Sequence, residues 1–201
     1  MIRRRKGSRA ARRAEGGFSL LEVVISMAIL TVGMVSLLGV FGLAMSSTLT
    51  SQQDMIAKEL ANEALESIIT ARNTSQINWD AIQNVGSTTC SAGASPCGIF
   101  VTGASQIYNA GADGIYGTSD DSNAGEQTLT EPGADGIYGT TDDVQIPLTG
   151  YQRTVLISPV YDANNNVVAT LRGINITVQY STSQTKLPKT YVLNSLISQY
   201  Q

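Results

Sequence analysis

The chain has 201 residues, of which 42% are apolar and 14% are charged, and it contains no histidine. This composition is that of a folded protein and excludes an intrinsically disordered tail. The formal net charge of −3 conceals an uneven distribution, because residues 1–17 carry a net charge of +6 and residues 18–201 a net charge of −9. The two ends of the chain therefore belong in different surroundings.

A predominantly apolar run of 28 residues, Phe18 to Met45, follows the basic N-terminus. As a helix it would be about 42 Å long, which exceeds the ~30 Å hydrocarbon core of a bilayer. A secretory signal peptide is the alternative, but its apolar region is typically about 7 to 15 residues long and ends at a small-residue cleavage site. The run predicts one membrane-spanning helix with a cytoplasmic N-terminus, since arginine-rich flanks remain inside.

One carboxylate, Glu22, interrupts this apolar run close to its start. A charged side chain within lipid costs at least ~2.5 kcal/mol, so Glu22 predicts a specific partner. The alternative is that Glu22 lies near the membrane interface of an ordinary anchor and reaches water along its own stem.

The order G-F-S-L-L-E-V from Gly17 to Val23 resembles the class III signal of type IV prepilins and type II secretion pseudopilins. The resemblance implies that a prepilin peptidase removes the basic leader, residues 1–17, and methylates the new N-terminal residue, Phe18. It also implies that Glu22 pairs with the N-terminal amine of a neighbouring subunit, since two charges that are each costly alone become tolerable together. Residues 16–72 resemble, more loosely, the minor pilins of the PilV-like branch and the related minor pseudopilins.

Beyond the assembly helix, residues 18–45, the helical pattern continues through residues 46–72 and becomes amphipathic. The predicted apolar stripe comprises Ile56, Leu60, Ala64 and Ile68, with Ala57, Ala61 and Leu65 beside it. The predicted polar face comprises Asp54, Lys58, Asn62 and Glu66. The helix therefore passes from a lipid or helix-lined environment to the surface of a head domain.

The rest of the chain predicts a connecting region, residues 73–149, and an antiparallel meander, residues 150–201. Trp79 and Ile82 are predicted to fix the connection to the core, with contact to a partner as the alternative. Alternating apolar residues predict strands over 151–161, 167–180 and 190–200, separated by a turn at 162–166 and a loop at 181–189. The predicted fold class is α+β, a pilin-like roll in which this sheet covers the apolar stripe of the helix.

Two cysteines, Cys90 and Cys97, lie in CSAGASPC on the predicted exported side, where disulfides persist. A disulfide closing so short a loop contributes at most about 2 to 3 kcal/mol. Two free thiols are the alternative. A zinc site is disfavoured, because the spacing is unusual for zinc and the chain has no histidine.

A near-exact duplication precedes the predicted sheet: GADGIYGTSDD (Gly111 to Asp121) and GADGIYGTTDD (Gly133 to Asp143). We call these the first and second repeats. Each places one aspartate seven and eight residues before a carboxylate pair. The carboxylates are Asp113, Asp120 and Asp121 in the first repeat and Asp135, Asp142 and Asp143 in the second. Glycines allow the backbone reversals that would bring them together, and carboxylates are the oxygen ligands that Ca²⁺ prefers.

The repeats resemble the calcium loop of major type II secretion pseudopilins, in which backbone carbonyls complete the ligand set. By position, this resemblance implies carbonyl ligands at Ala110 and Thr118 in the first repeat and at Pro132 and Thr140 in the second. The duplication leaves open whether one calcium ion or two are bound. The alternative is a pair of solvated acidic turns in which the Ile-Tyr pairs anchor hairpins.

These observations favour a structural protein over an enzyme, since the chain has no histidine, no G-x-S-x-G motif and no phosphate-binding loop. The leading hypothesis is a minor pilin that enters a type IV pilus or primes its assembly. Its predicted partners are the inner membrane, prepilin peptidase and other pilins contacted through the N-terminal helix, with no nucleic acid. The predicted location is the inner membrane with a periplasmic head, and then a pilus or pseudopilus at the cell surface. A minor pseudopilin of type II secretion, a filament-tip adhesin and a non-polymerising anchored protein are the alternatives.

Overall fold

The computed structural model describes residues 17–88, 90–91, 93–181 and 188–200. The chain divides into two compact units, Met1–Ser47 and Thr48–Gln201, and the first is described from residue 17 onward. The predicted leader therefore lies outside the described residues except for Gly17, and so do residues 182–187 of the predicted loop.

In the first unit, the described residues form the start of a long helix, α1 (Leu20–Asn73). The carbonyl of Ser19 accepts backbone hydrogen bonds from Glu22 and Val23, which begins the helix. The hydroxyl of Ser26 donates to the carbonyl of Glu22 at 2.7 Å, so a polar group in an apolar stretch is satisfied within the helix itself. The length and composition of α1 are sufficient for a membrane span.

In the second unit, α1 buries most of the apolar stripe that its sequence predicts, with Ile56 and Leu65 half-buried against the core. The buried residues of the helix are Ala57, Leu60, Ala61, Ala64, Ile68 and Ala71. Asp54, Lys58 and Glu66 on the opposite face are exposed. Beyond Asn73, Ser75 adopts a positive φ of 58° and the N–H of Gln76 bonds the carbonyl of Ala71, which closes the helix end.

A four-stranded antiparallel sheet in the order β1-β4-β5-β6 packs on this stripe. Its strands are β1 (Ser105–Gln106), β4 (Tyr151–Tyr161), β5 (Val167–Ser181) and β6 (Pro188–Ser198). Alternate residues of β5 are buried, namely Ile174, Ile176, Val178 and Tyr180. The α+β fold class and the meander are therefore confirmed: a long N-terminal helix is packed on a C-terminal antiparallel sheet in a pilin-like arrangement.

The structure corrects the boundaries of the last strand and adds three strands to the connecting region. β6 begins at Pro188 and ends at Ser198, two residues before the predicted bounds at each end. A proline is tolerated here because it is the first residue of an edge strand. The two-residue strand β1 and the separate hairpin of β2 (Thr128–Glu131) and β3 (Val144–Pro147) were not predicted, because strands this short carry no clear period.

The connection after α1 is fixed to the core through Trp79 and Ile82, as predicted. Ile82 is fully buried, and the Trp79 ring nitrogen donates to the carbonyl of Ala169 at 2.8 Å. The guanidinium of Arg172 lies 4.4 Å from the centre of the Trp79 ring. Cys90 and Cys97 form the predicted disulfide, with an S–S distance of 2.06 Å.

Candidate metal centre and processing site

The first repeat is a tight loop in which three carboxylates converge. One carboxylate oxygen from each of Asp113, Asp120 and Asp121 lies within 4.8 Å of the others. Gly114 adopts a φ of 67°, which reverses the backbone at a conformation that disfavours other residues. A Cβ atom at Gly111 would lie 2.2 Å from Oδ2 of Asp120, so only glycine allows the backbone to approach this carboxylate so closely.

Donors within the first repeat are directed at the carboxylate pair. The Thr118 hydroxyl donates to Oδ1 of Asp120 at 2.6 Å, and the N–H of Asp113 donates to Oδ2 of Asp120 at 3.3 Å. Asp121 accepts from the N–H groups of Gly117 at 2.6 Å and Gly111 at 3.2 Å. The loop therefore holds the carboxylates in place before any ion is considered.

The two members of the carboxylate pair differ in their electrostatics. The hydrogen bond from Thr118 lowers the pKa of Asp120 below its usual value. Burial raises the pKa of Asp121, although the N–H groups of Gly117 and Gly111 oppose the shift. Asp121 is 6% exposed, so its negative charge is poorly solvated and a bound cation would favour its ionised form.

The second repeat shares most of these hydrogen bonds, but among the described residues no bond from the Gly133 N–H to Asp143 matches that from Gly111 to Asp121. The N–H of Asp135 and the hydroxyl of Thr140 donate to Asp142 at 3.3 and 2.6 Å. The N–H of Gly139 donates to Asp143 at 2.7 Å. A Cβ atom at Gly133 would lie 2.2 Å from Oδ2 of Asp142, as at the matching glycine of the first repeat. The hydrogen bond from Thr140 lowers the pKa of Asp142.

The repeats differ in their surroundings. In the first repeat, Ile115 is 1% exposed and lies in the core, whereas the matching Ile137 of the second repeat is 60% exposed. The second repeat lies between β2 and β3, and its Tyr138 is 68% exposed. The same peptide segment therefore lies once in the core of the head and once on its surface.

Tyr116 joins the first repeat to helix α1. Its hydroxyl donates to a carboxylate oxygen of Glu63, and its N–H donates to Oγ of Ser67 at 3.2 Å. The buried guanidinium of Arg153 lies 4.5 Å from the centre of the Tyr116 ring. Burial and the hydrogen bond to Glu63 raise the pKa of Tyr116 to about 12.

The distances between carboxylates show which of the predicted calcium ligands lie close together. Among the described residues, only the carboxylates of the first repeat form a group of three or more acidic residues this close, and no such group draws on both repeats. One ion shared by both repeats therefore has no support in the described part of the chain. Ala110 and Pro132 immediately precede the close-approach glycines, and the buried Thr118 and half-buried Thr140 lie beside the carboxylate pairs.

The resemblance to the pseudopilin calcium loop implies carbonyl ligands at Thr118 and Thr140, but the hydroxyl contacts of these threonines to the carboxylates were not predicted. Their matching positions in the two repeats could have indicated this role. Sequence reasoning also missed the contacts of Glu63 and Arg153 with the first repeat, because these residues are distant in sequence and no pattern joins them.

The predicted processing site lies where α1 begins. Gly17 and Phe18 precede the helix, and the Phe18 side chain is 82% exposed. Glu22 lies in the first turn, where a carboxylate also interacts favourably with the helix dipole.

Comparisons with known proteins agree with this placement. A family model described as the prokaryotic N-terminal methylation motif matches residues 12–38, which include Gly17, Phe18 and Glu22. Neither the comparison with curated proteins nor that with solved structures found a significant match. The motif implies processing by a prepilin peptidase and membrane association with pilins, and it suggests a structural, non-enzymatic protein. The chain therefore carries a prepilin-type N-terminal methylation motif, which supports its assignment to the type IV pilins and pseudopilins.

Proposed function

We propose that this chain is a minor pilin that is cleaved after Gly17, methylated on Phe18 and incorporated into a type IV pilus, or primes its assembly. The observation that carries the proposal is the methylation motif at residues 12–38, placed at the start of a helix able to span a membrane. In this proposal the N-terminus is cytoplasmic and the head is periplasmic before the protein enters a surface filament. The likeness to PilV-like minor pilins supports a minor rather than a major subunit.

Glu22 has a defined role in this proposal. Cleavage creates a charged amine on Phe18 within the apolar segment, and Glu22 of a neighbouring subunit neutralises it. Each charge alone is costly in lipid, so assembly is favoured because it satisfies both.

Intact mass and filament recovery test this function. The cellular protein should begin at a methylated Phe18. Glu22→Ala should leave membrane insertion intact but remove the chain from sheared filaments, whereas the control Ser26→Ala, one turn further along α1, should be recovered normally. A full-length mass would contradict the processing step, and equal recovery of Glu22→Ala would contradict the assembly role.

The alternative machine is a type II secretion pseudopilus, which would use the same helix and the same processing. The likeness of the repeats to the calcium loop of pseudopilins favours this alternative. Purified pili and the isolated secretion complex should be probed side by side for the chain, because recovery in one of them separates the two functions. A filament-tip adhesin would instead require a ligand bound by the head.

The proposal also includes calcium as a structural ligand of the repeats. Asp113, Asp120 and Asp121 would hold one ion with the carbonyls of Ala110 and Thr118. The second repeat would use Asp135, Asp142 and Asp143 with the carbonyls of Pro132 and Thr140. Ca²⁺ takes about six to eight oxygen ligands and tolerates irregular geometry, which a carboxylate-rich loop can supply. A bound ion would stabilise the folded head by mass action.

Removal of calcium should lower the unfolding temperature of the head. Trp79 is the only tryptophan of the chain and lies in the head, so its fluorescence in the processed, detergent-solubilised protein reports head unfolding. Chelation should shift the midpoint downward, and Asp120→Ala combined with Asp142→Ala should abolish the shift. Each single variant should retain part of it if each repeat binds its own ion. An unchanged midpoint on chelation would contradict the calcium proposal.

A further inference from the structure

The two repeats provide an internal comparison of one peptide in two settings. Tyr116 of the first repeat contacts three kinds of group elsewhere in the head: the apolar core, the carboxylate of Glu63 and the guanidinium of Arg153. In the second repeat, the matching Ile137 and Tyr138 project outward and are 60% and 68% exposed. The first repeat therefore indicates which chemistry the exposed pair of the second repeat would recognise.

The distribution of charge favours a second copy of this chain as the partner. No lysine or arginine occurs between Arg72 and Arg153, so the second repeat and its flanking strands carry only acidic charge. Arg153 and Arg172 are buried, and Arg72 is half-buried and donates to the carbonyl of Ser198 at 2.6 Å. In the described part of the head, the accessible basic groups are therefore those of Lys58 and Lys189.

These two lysines line one shallow groove together with an apolar side chain and a carboxylate. The groove includes Asp54, Met55 and Tyr180, and Met55 is 71% exposed. Asp54 accepts a hydrogen bond from the Tyr180 hydroxyl and lies 3.4 Å from the Lys189 amine. The groove thus presents the three kinds of group that surround Tyr116 in the first repeat: an apolar surface, a cation and a carboxylate that accepts from a tyrosine.

We propose that the second repeat is a subunit contact, in which Ile137 and Tyr138 of one copy pack into the groove formed by Asp54, Met55, Lys58 and Lys189 of another copy. The contact joins two different surfaces and is therefore head-to-tail, the kind that generates rings or open helical assemblies. In this contact the acidic repeat of one copy faces the lysines of the groove on the other copy. This charge complementarity favours the pairing of a repeat with a groove over the pairing of two repeats or of two grooves. The inference rests on the proposed filament function, to which it adds a specific contact between heads.

Photo-crosslinking of the full chain in bacterial membranes tests the contact. Tyr138 is replaced by p-benzoylphenylalanine, and two differently tagged copies are expressed together with prepilin peptidase. The expected product is a mixed-tag dimer whose attachment point lies at residues 54–58 or 188–191. Lys58→Glu combined with Lys189→Glu should reduce its yield about tenfold, because like charges would then face each other, and Lys58→Arg with Lys189→Arg should retain it.

Two matched positions serve as controls. The same photoreactive residue at half-buried Tyr116, which packs against the core, should give no mixed-tag dimer, and neither should one at Tyr161, an exposed tyrosine at the end of β4. Absence of a dimer from position 138, attachment elsewhere on the second copy, or attachment to a different protein would each overturn the contact. Filament recovery is measured separately. A crosslinked dimer without recovery of the chain in filaments would contradict the pilin function but support the contact. Recovery in filaments without a crosslinked dimer would contradict the contact but support the pilin function.

Discussion

At the scale of single residues, the duplication supplies matched pairs that separate the role of a side chain from that of its surroundings. Tyr116 and Tyr138 occupy the same position in identical peptide segments, but only Tyr116 bonds Glu63 and lies beside Arg153. A difference between side-chain substitutions at the two positions therefore measures the surroundings, because the sequence around the two tyrosines is the same.

Removal of the Tyr116 hydroxyl should destabilise the head. Tyr116→Phe should lower the free energy of unfolding by about 1 to 3 kcal/mol, since a hydrogen bond to a charged acceptor is lost and Glu63 loses a donor. Tyr138→Phe should change it by less than about 0.5 kcal/mol, as at most exposed sites. Denaturant unfolding followed by Trp79 fluorescence compares them, and equal effects would contradict the role of the hydrogen bond.

The same tyrosine predicts an alkaline transition. The pKa of Tyr116 is raised from 10.0 to about 12, so the folded head favours the neutral phenol. Its contribution to stability is therefore complete below pH 10 and is lost as the pH rises toward about 12. Thermal unfolding measured across this range should show a decline in stability that is smaller in Tyr116→Phe, and an unchanged decline in that variant would assign the effect to other groups.

At the scale of elements, the same sequence is a core element in one place and a surface element in the other. Ile115→Ala should cost about 2 to 5 kcal/mol, because it leaves a cavity beside the buried stripe of α1 and the sheet. Ile137→Ala should leave the stability of the head nearly unchanged. Thermal unfolding of the two variants distinguishes them, and a comparable loss at Ile137 would indicate that the second repeat is packed within the head.

Elements with a clear hydrophobic periodicity could be predicted from the sequence, whereas features that depend on contacts between distant residues could not. The stripe of α1 and the alternation of β5 were sufficient to predict the helix, the meander and the α+β class. The repeat predicted a convergence of carboxylates, because glycine spacing is a local property. The local sequence could not predict that Tyr116 would contact Glu63 and Arg153, nor that only one Ile-Tyr pair would pack against the core, since both depend on how separate segments pack.

At the scale of the whole molecule, the chain combines an apolar helical unit with a head that has its own core. Glu22 lies in the first unit, and the carboxylates of the repeats lie in the second. The two sets of residues therefore belong to separate compact units of the chain. Substitutions in different units are therefore expected to act additively on stability.

This independence gives a test of how Glu22 acts. Glu22→Ala should leave the unfolding midpoint of the head, followed by Trp79 fluorescence, within experimental error of the midpoint measured with Glu22 in place. Loss from filaments would then report a failure of assembly rather than of folding. A lowered midpoint would show that Glu22 affects the head and would remove this interpretation.

The absence of basic residues between Arg72 and Arg153 also determines how the protein can be analysed by mass spectrometry. Trypsin cuts after lysine and arginine, so residues 73–153 remain on one fragment that carries the disulfide and both repeats. Arg153 is 3% exposed, so even this cut is shielded until the head unfolds. Peptide mapping of this region therefore needs a protease that cleaves at acidic residues, nine of which lie between Asp80 and Asp143 inclusive.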